Sequence, residues 1–121
     1  MIVYPYKPYG VMLLKYLVNL NERDGTCYHE FQKGKWNDEF WFEDSIYLSD
    51  DFMSRDLYEL ISACAPEYDP YGVTAITRRQ WNDICALAKN HAPETAAIIA
   101  EADVWARENF KTNDVFTILG I

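Results

Sequence analysis

Basic residues are nearly missing from one long stretch of this sequence. Between Asn37 and Asp69 a single base, Arg55, stands against ten of the nineteen carboxylates of the chain. That stretch carries −9 and the other 88 residues sum to +1, so the formal charge of −8 belongs to one segment. A concentrated negative field attracts a basic partner. A pI near 4.6 excludes nucleic acid and anionic membranes as expected ligands.

Cysteines are few, and long apolar runs are missing. The three cysteines, Cys27, Cys64 and Cys85, form no Cys-x-x-Cys pair, which argues against a disulfide framework or a zinc site. The longest run without a charge, Pro70 to Thr77, is far shorter than the roughly 18 residues of a membrane span. No charged leader followed by an apolar stretch opens the sequence. We therefore expect a reduced, soluble, cytoplasmic protein.

Catalytic signatures are also missing. The five glycines never cluster into a phosphate-binding loop, and neither a Gly-x-Ser-x-Gly nor a His-Glu-x-x-His motif occurs. Cys27 and His29 could form a nucleophile and its base, but on a strand they would lie about 7 Å apart on one face. The acids around Asp50 and Asp51 lack the spacing and glycine of a calcium loop. The sequence predicts no enzyme, no metal and no cofactor.

What is present suits a single domain spanning residues 1–121. Half of the residues are hydrophobic and 16% are aromatic, which is enough for a real core in a chain of 121 residues. A buried strand is expected within Val11–Leu20, although periodicity does not exclude a helix. Residues 1–10 are expected to be irregular or an edge segment. Further extended segments are predicted at Thr26–Gln32, Lys35–Phe42 and Ser45–Leu48, with a hairpin turn at Lys33-Gly34-Lys35.

The second half of the sequence has helical periodicity. A helix from Ser49 or Asp50 to Pro66 would have one apolar face, formed by Met53, Leu57, Leu60, Ile61 and Cys64. Thr77 and Gln80 form a capping-box pattern before a second apolar stripe, which consists of Trp81, Ile84, Cys85 and Ala88. Pro93 opens a third predicted helix that ends near Phe110 and buries Ile98, Ala102, Trp105 and Ala106.

The remaining segments complete an α+β pattern. Asp69–Gly72 has the composition of a β-turn, and Val73–Ile76 is a short strand or a linker. Val115–Leu119 is apolar on both faces, which is typical of an interior strand. We expect a small mixed or antiparallel sheet with about three helices packed on one side and the C-terminal strand returning to the sheet.

Aromatic residues are interleaved with the acids of the negative segment. In one interpretation Phe40 and Phe42 face the core and Trp41 lies partly covered on the other side. In the other, Trp36 or Trp41 anchors an interface, because tryptophan and tyrosine dominate binding hot spots and cation–π contacts would add to charge pairing. The predicted partner-binding residues are Trp36, Asp38, Glu39, Trp41, Glu43, Asp44, Tyr47, Asp50 and Asp51.

The chain resembles the immunity proteins of bacterial polymorphic-toxin and contact-dependent-inhibition systems. The resemblance lies in its small, acidic, aromatic-rich character and in two stretches, YDPYGVTAITRRQW from Tyr68 to Trp81 and FTILGI from Phe116 to Ile121. It implies a protein that binds a cognate toxin domain, often a basic nuclease, and covers the active site of that toxin with carboxylates.

Two other classes of function stay open at this point. A structural or regulatory subunit could use an apolar surface to form a homo-oligomer. A small enzyme could use Cys27, His29 and a carboxylate. The concentrated charge favours the hypothesis of an immunity-type binding role. Neither nucleic acid nor a membrane is among the expected partners.

Overall fold

A computed structural model describes residues 14–121, apart from the side chain of Asp56. Four strands form one fully antiparallel sheet in the order β2-β1-β4-β3. Their bounds are Tyr28–Lys33 for β1, Ile46–Ser49 for β2, Val73–Thr77 for β3 and Val115–Leu119 for β4. The C-terminal strand β4 lies between β1 and β3, so the predicted α+β class and the predicted interior position of this strand are confirmed.

Helices follow the boundaries that the sequence predicts. The first helical region consists of α1 (Asp50–Phe52), a π-helical turn (Met53–Leu57) and α2 (Tyr58–Cys64), which follow one another without a break. Helix α3 (Arg78–Ala88) begins with the predicted capping box, since Gln80 N donates to Thr77 Oγ1 and Thr77 N donates to Gln80 Oε1. Helix α4 (Pro93–Phe110) has proline at its first position, as predicted.

One face of the sheet packs against the helices. Phe116 of β4 contacts the rings of Phe31, Trp81, Trp105 and Phe110 at centroid distances of 5.3–5.9 Å. The tryptophans come from α3 and α4, and both are almost fully buried, as their helical spacing predicts. The predicted apolar face of the first helical region is also confirmed, because Met53, Leu57, Leu60 and Ile61 are all buried.

Two predicted extended segments are wrong. Residues 35–42 form no strand, because they leave the sheet after Gly34, which has a φ of +73°. Within Val11–Leu20, residues 11–13 lie outside the described residues, as do residues 1–10. From residue 14 onward this segment contributes only a single bridge between Val18 and Tyr47, followed by a 3₁₀ turn at Leu20–Glu22.

The segment before β1 is attached to α4 by a buried carboxylate. Glu101 accepts hydrogen bonds from the backbone N–H groups of Lys15, Tyr16 and Leu17 at 2.7–3.2 Å. A strand ladder would use these donors, and the carboxylate replaces that ladder. This contact joins residues more than 80 positions apart, which explains why local apolar patterning mispredicts the segment.

Candidate functional site

The residues between β1 and β2 cover the second face of the sheet. Residues 36–44, here called the acidic loop, carry four exposed carboxylates, those of Asp38, Glu39, Glu43 and Asp44. Two large apolar side chains of the same loop also reach solvent, with exposed fractions of 58% for Phe40 and 38% for Trp41. The loop therefore combines negative charge and exposed aromatic surface, which is the combination predicted for partner binding.

A buried carboxylate beneath the loop fixes its backbone. Glu30 of β1 is 1% exposed and accepts hydrogen bonds from Trp41 N at 2.8 Å and from Phe42 N at 3.0 Å. Its second oxygen also accepts from Ser45 Oγ at 2.8 Å, and the Tyr47 hydroxyl lies 3.2 Å away. Hydrogen bonds to a charged acceptor are stronger than neutral ones, so Glu30 holds the loop in one conformation.

The loop backbone adopts conformations that need this support. Asp38 and Trp41 have φ values of +67° and +66°, in the left-handed region that side chains other than glycine rarely occupy. Gln32, the next residue of β1 on the same face as Glu30, donates from Nε2 to the carbonyl oxygen of Glu39 at 2.8 Å. Together these two strand side chains hold the loop at three of its positions.

The exposed indole of Trp41 lies on a stack of rings and charge. Its ring packs on Tyr47 at 5.8 Å with an interplanar angle of 25°, and the Arg23 guanidinium lies 4.1 Å from its centroid. Tyr47 is fully buried, and its hydroxyl donates to the Phe42 carbonyl oxygen at 2.7 Å. Burial and the Glu30 charge raise the pKa of Tyr47. The prediction of Tyr47 as an interface anchor needs correction, because its side chain positions Trp41 and has no exposed surface.

The other aromatic residues of the loop form a separate pair. Trp36 and Phe40 meet edge to face at 5.2 Å. Trp36 is partly buried, as Phe42 is, whereas Phe40 is the more exposed ring of the pair. The interpretation in which Phe40 faces the core is therefore wrong, and Phe40 joins Trp41 as exposed apolar surface.

The predicted acidic residues do not form one group. Asp50 and Asp51 begin the first helical region, at the far end of β2 from the acidic loop, and β2 spans roughly 13 Å. They border a cleft of about 300 Å³ together with Asp24, Cys27, Tyr28 and Ser49. The structure thus separates the predicted binding residues into the acidic loop and this cleft, here called the acidic cleft.

Asp50 accepts hydrogen bonds from one buried and one partly buried neighbour. Tyr58 donates its hydroxyl to Asp50 Oδ1 at 2.6 Å, and His29 Nε2 lies 2.8 Å from the same oxygen. These hydrogen bonds lower the pKa of Asp50. The imidazole of His29 is fully buried and its pKa is lowered by that burial, so Nε2 carries the single proton and donates it. Its other nitrogen, Nδ1, has no hydrogen-bond partner within residues 14–121.

The three cysteines occupy different environments. Cys27 is exposed and precedes β1, and the histidine two residues later turns to Asp50 and Tyr58. Cys64 and Cys85 are partly buried, and burial raises the pKa of both thiols, that of Cys85 to about 12. A thiol with a raised pKa is a poor nucleophile near neutral pH. In the described part of the chain no group of three or more His, Cys, Asp or Glu side chains could hold a metal ion.

Hydrogen bonding to neighbouring side chains differs between the two acidic groups. Asp50 accepts hydrogen bonds from the neutral His29 and from Tyr58, while no lysine or arginine within residues 14–121 forms an ion pair with the four carboxylates of the acidic loop. Elsewhere in the negative segment, Glu67 accepts hydrogen bonds from Gln80 Nε2, and Asp69 accepts one from Tyr71 N inside the predicted turn. The four carboxylates of the acidic loop therefore keep their charge without a basic partner in the described part of the chain.

Comparison with known proteins adds no relative. No protein-family model, curated protein or solved structure matches the chain. None of the helices within residues 14–121 is long and apolar enough to cross a membrane.

Sequence reasoning did not find three residues that build the site. Glu30 and Gln32 stand in a strand with aromatic neighbours, where their side chains read as ordinary surface positions. Arg23 follows the 3₁₀ turn Leu20–Glu22, 18 residues before the indole that it covers. No local signal marks these roles, because each depends on a partner brought close only by the fold.

Proposed function

We propose that this protein is an intracellular binding module of the immunity type, which neutralises a basic toxin domain through its acidic loop. The observation that carries the proposal is the pairing of unneutralised carboxylates with the exposed rings of Phe40 and Trp41 on a backbone fixed by Glu30. A partner rich in lysine and arginine would meet both charge and ring faces.

Rigidity of the loop supports a binding role. Ordering a flexible loop costs free energy on association, and a loop that is already fixed avoids that cost. The left-handed backbone at Asp38 and Trp41 is itself unfavourable, and it is maintained by the hydrogen bonds that Glu30 accepts from the loop and Gln32 donates to it. A surface with only a solubilising role would need neither the strain nor the buried carboxylate.

The acidic cleft gives the proposal a second, smaller contact region. Asp24 and Asp51 are exposed at its border, and Asp50 is held by Tyr58 and His29. Arg23, next to Asp24 in sequence, covers Trp41, so one chain segment borders both the cleft and the acidic loop. We expect the loop to supply most of the affinity, because the exposed rings lie there.

The experiment pairs the chain with the product of its neighbouring reading frame. A gene just upstream that encodes a large secreted protein with a basic C-terminal domain supplies the probe, and calorimetry measures its dissociation constant. Reversing two charges with Glu43→Lys and Asp44→Lys should weaken binding at least about tenfold, mostly through slower association. The thermal stability of the variant should stay close to that of the parent.

A matched control changes the same amount of charge elsewhere. Asp83→Lys and Asp114→Lys alter two exposed carboxylates on α3 and before β4, outside the acidic loop. This control should bind nearly as well as the parent. Equal weakening in both double variants would reduce the role of the loop to general net charge, and an unchanged dissociation constant for the loop variant would refute the proposal.

A further inference from the structure

In the described part of the chain, Val18 pairs with the outer edge of β2, whereas the outer edge of β3 has free backbone groups. In an antiparallel ladder, the N–H and C=O of a residue point to the same side, and the side alternates along the strand. Gly120 N donates to Gly72 O at 2.7 Å, one step beyond the pair Val73↔Leu119. Residues 74 and 76 therefore point their groups to β4, and residues 73, 75 and 77 point theirs outward.

Two of these outward residues keep both backbone groups free. Thr77 is already used, since its N–H donates to Gln80 and its position caps α3. Val73 and Ala75 have no backbone partner on the outer side within the described part of the chain. Their side chains are exposed as well, with Val73 at 47%.

The edge also lacks the usual protection. Natural edge strands avoid pairing through charged side chains, prolines, bulges or covering segments. No charge occurs between Tyr71 and Thr77, β3 pairs with β4 without a bulge, and Pro70 lies before the strand. Threonine, valine and isoleucine supply all four of the β3 positions that flank Ala75, which suits a pleated partner.

We propose that a second copy of this chain pairs antiparallel with β3, centred on Ala75, to form a continuous eight-stranded sheet across a two-fold axis. The outward groups of Ala75 in each copy then form a mutual hydrogen-bonded pair, and Val73 of one copy lies opposite Thr77 of the other. A symmetric contact of this kind closes on itself and stops at the dimer.

The side chains at both ends of β3 complement one another in this register. Tyr71 is 71% exposed, and Arg79 is exposed in the first turn of α3. Antiparallel pairing about Ala75 brings Tyr71 of one copy toward Arg79 of the other, twice, so that each end gains a cation–π contact. A second copy supplies both members of this contact, which an arbitrary peptide would not.

The location of β3 also reduces the repulsion between two acidic copies. Arg78 and Arg79 follow the strand, and Glu67 and Asp69 precede it, so the charge near this edge is balanced. The acidic loop packs on β1 and β2, in the half of the sheet farthest from β3. The dimer therefore leaves both acidic loops free, and its existence does not depend on the proposed function.

Analytical ultracentrifugation of the full-length chain over a wide concentration range tests the pairing. We expect a reversible monomer–dimer equilibrium. Ala75→Pro removes the N–H of the central pair without touching the ladder to β4, and it should weaken dimerisation at least about tenfold. The control Ala75→Val keeps the N–H and should dimerise as the parent does, and circular dichroism checks that both variants are folded.

A charge exchange tests the register. Tyr71→Lys and Arg79→Glu should each weaken the dimer. The first places a second positive charge against Arg79 of the other copy, and the second removes the cation that contacts Tyr71 of the other copy. The combination should restore it, because two Lys–Glu pairs then form across the axis. A full-length chain that stays monomeric at every concentration, an Ala75→Pro variant that dimerises unchanged, or a double variant without recovery would each overturn the proposal.

Discussion

At the scale of single residues, Glu30 decides what the acidic loop can do. A charged residue is rarely buried without partners, and this one accepts hydrogen bonds from three donors within 3.0 Å. Glu30 lies buried beneath the loop that carries the exposed carboxylates. One carboxylate determines where the backbone lies, while the others are left to face solvent.

Replacing Glu30 with glutamine tests that role. Glu30→Gln places an amide NH₂ where an oxygen now accepts hydrogen bonds, so at least one backbone donor of the loop loses its partner. We expect a loss of roughly 2–3 kcal/mol in the free energy of unfolding, measured by urea denaturation, and faster hydrogen exchange at the amides of Trp41 and Phe42. Glu59→Gln, at an exposed position of α2, should change stability by less than about 0.5 kcal/mol. Similar losses in the two variants would contradict the role of Glu30.

At the scale of elements, local signals are strong wherever a helix begins. The capping box at Thr77, the proline at the start of α4 and the terminating Pro66 act within a few residues of themselves. One feature departs from the simple periodic pattern. The π-helical turn Met53–Leu57 carries an extra residue and rotates the helix that follows by about 100°, and Tyr58 directly after it reaches Asp50.

Removal of the Thr77 hydroxyl tests the cap at this scale. Thr77→Ala leaves the N–H of Gln80 without its acceptor and should lower the free energy of unfolding by about 1 kcal/mol. Thermal denaturation of a dilute sample gives the value. Thr26→Ala, at an exposed position outside the helices and strands, serves as the reference and should be nearly neutral. A neutral Thr77→Ala would mean that tertiary contacts alone hold the start of α3.

At the scale of the whole molecule, two sheet faces serve two purposes. The helices bury one face and create the aromatic core around Phe116. The loop covers part of the other face and presents charge. The residues that stabilise the core and those that expose charge thus lie on opposite faces of the sheet. His29 is the exception, because it lies on the helix-covered face and contacts the acidic cleft through Asp50.

Stability should fall in mild acid because of this histidine. Burial lowers the pKa of His29 in the folded protein below 6.5, so the unfolded chain binds the proton more tightly. The contribution to stability is complete above pH 6.5 and is lost as the pH falls toward the lowered pKa, with a slope of up to about 1.4 kcal/mol per pH unit. The Asp50 carboxylate is protonated only at lower pH, because its own pKa is lowered.

The variant His29→Gln isolates this effect. Glutamine retains a donor toward Asp50 but does not titrate. Urea denaturation at a series of pH values below 6.5 should therefore give a flatter dependence for the variant than for the parent. Parallel curves for the two proteins would assign the acid sensitivity to other groups.

The sequence by itself determined the helices, the capping box of α3, the interior C-terminal strand and the concentration of charge, because periodicity and capping act over a few neighbouring residues. Only the tertiary structure decided where that charge lies. It divided the predicted acidic surface between the loop and the cleft, buried Tyr47 and placed Glu30 beneath Trp41. It also replaced a predicted strand with three hydrogen bonded amides on Glu101. These outcomes depend on whether a buried charge finds donors distant in sequence, and no local pattern carries that information.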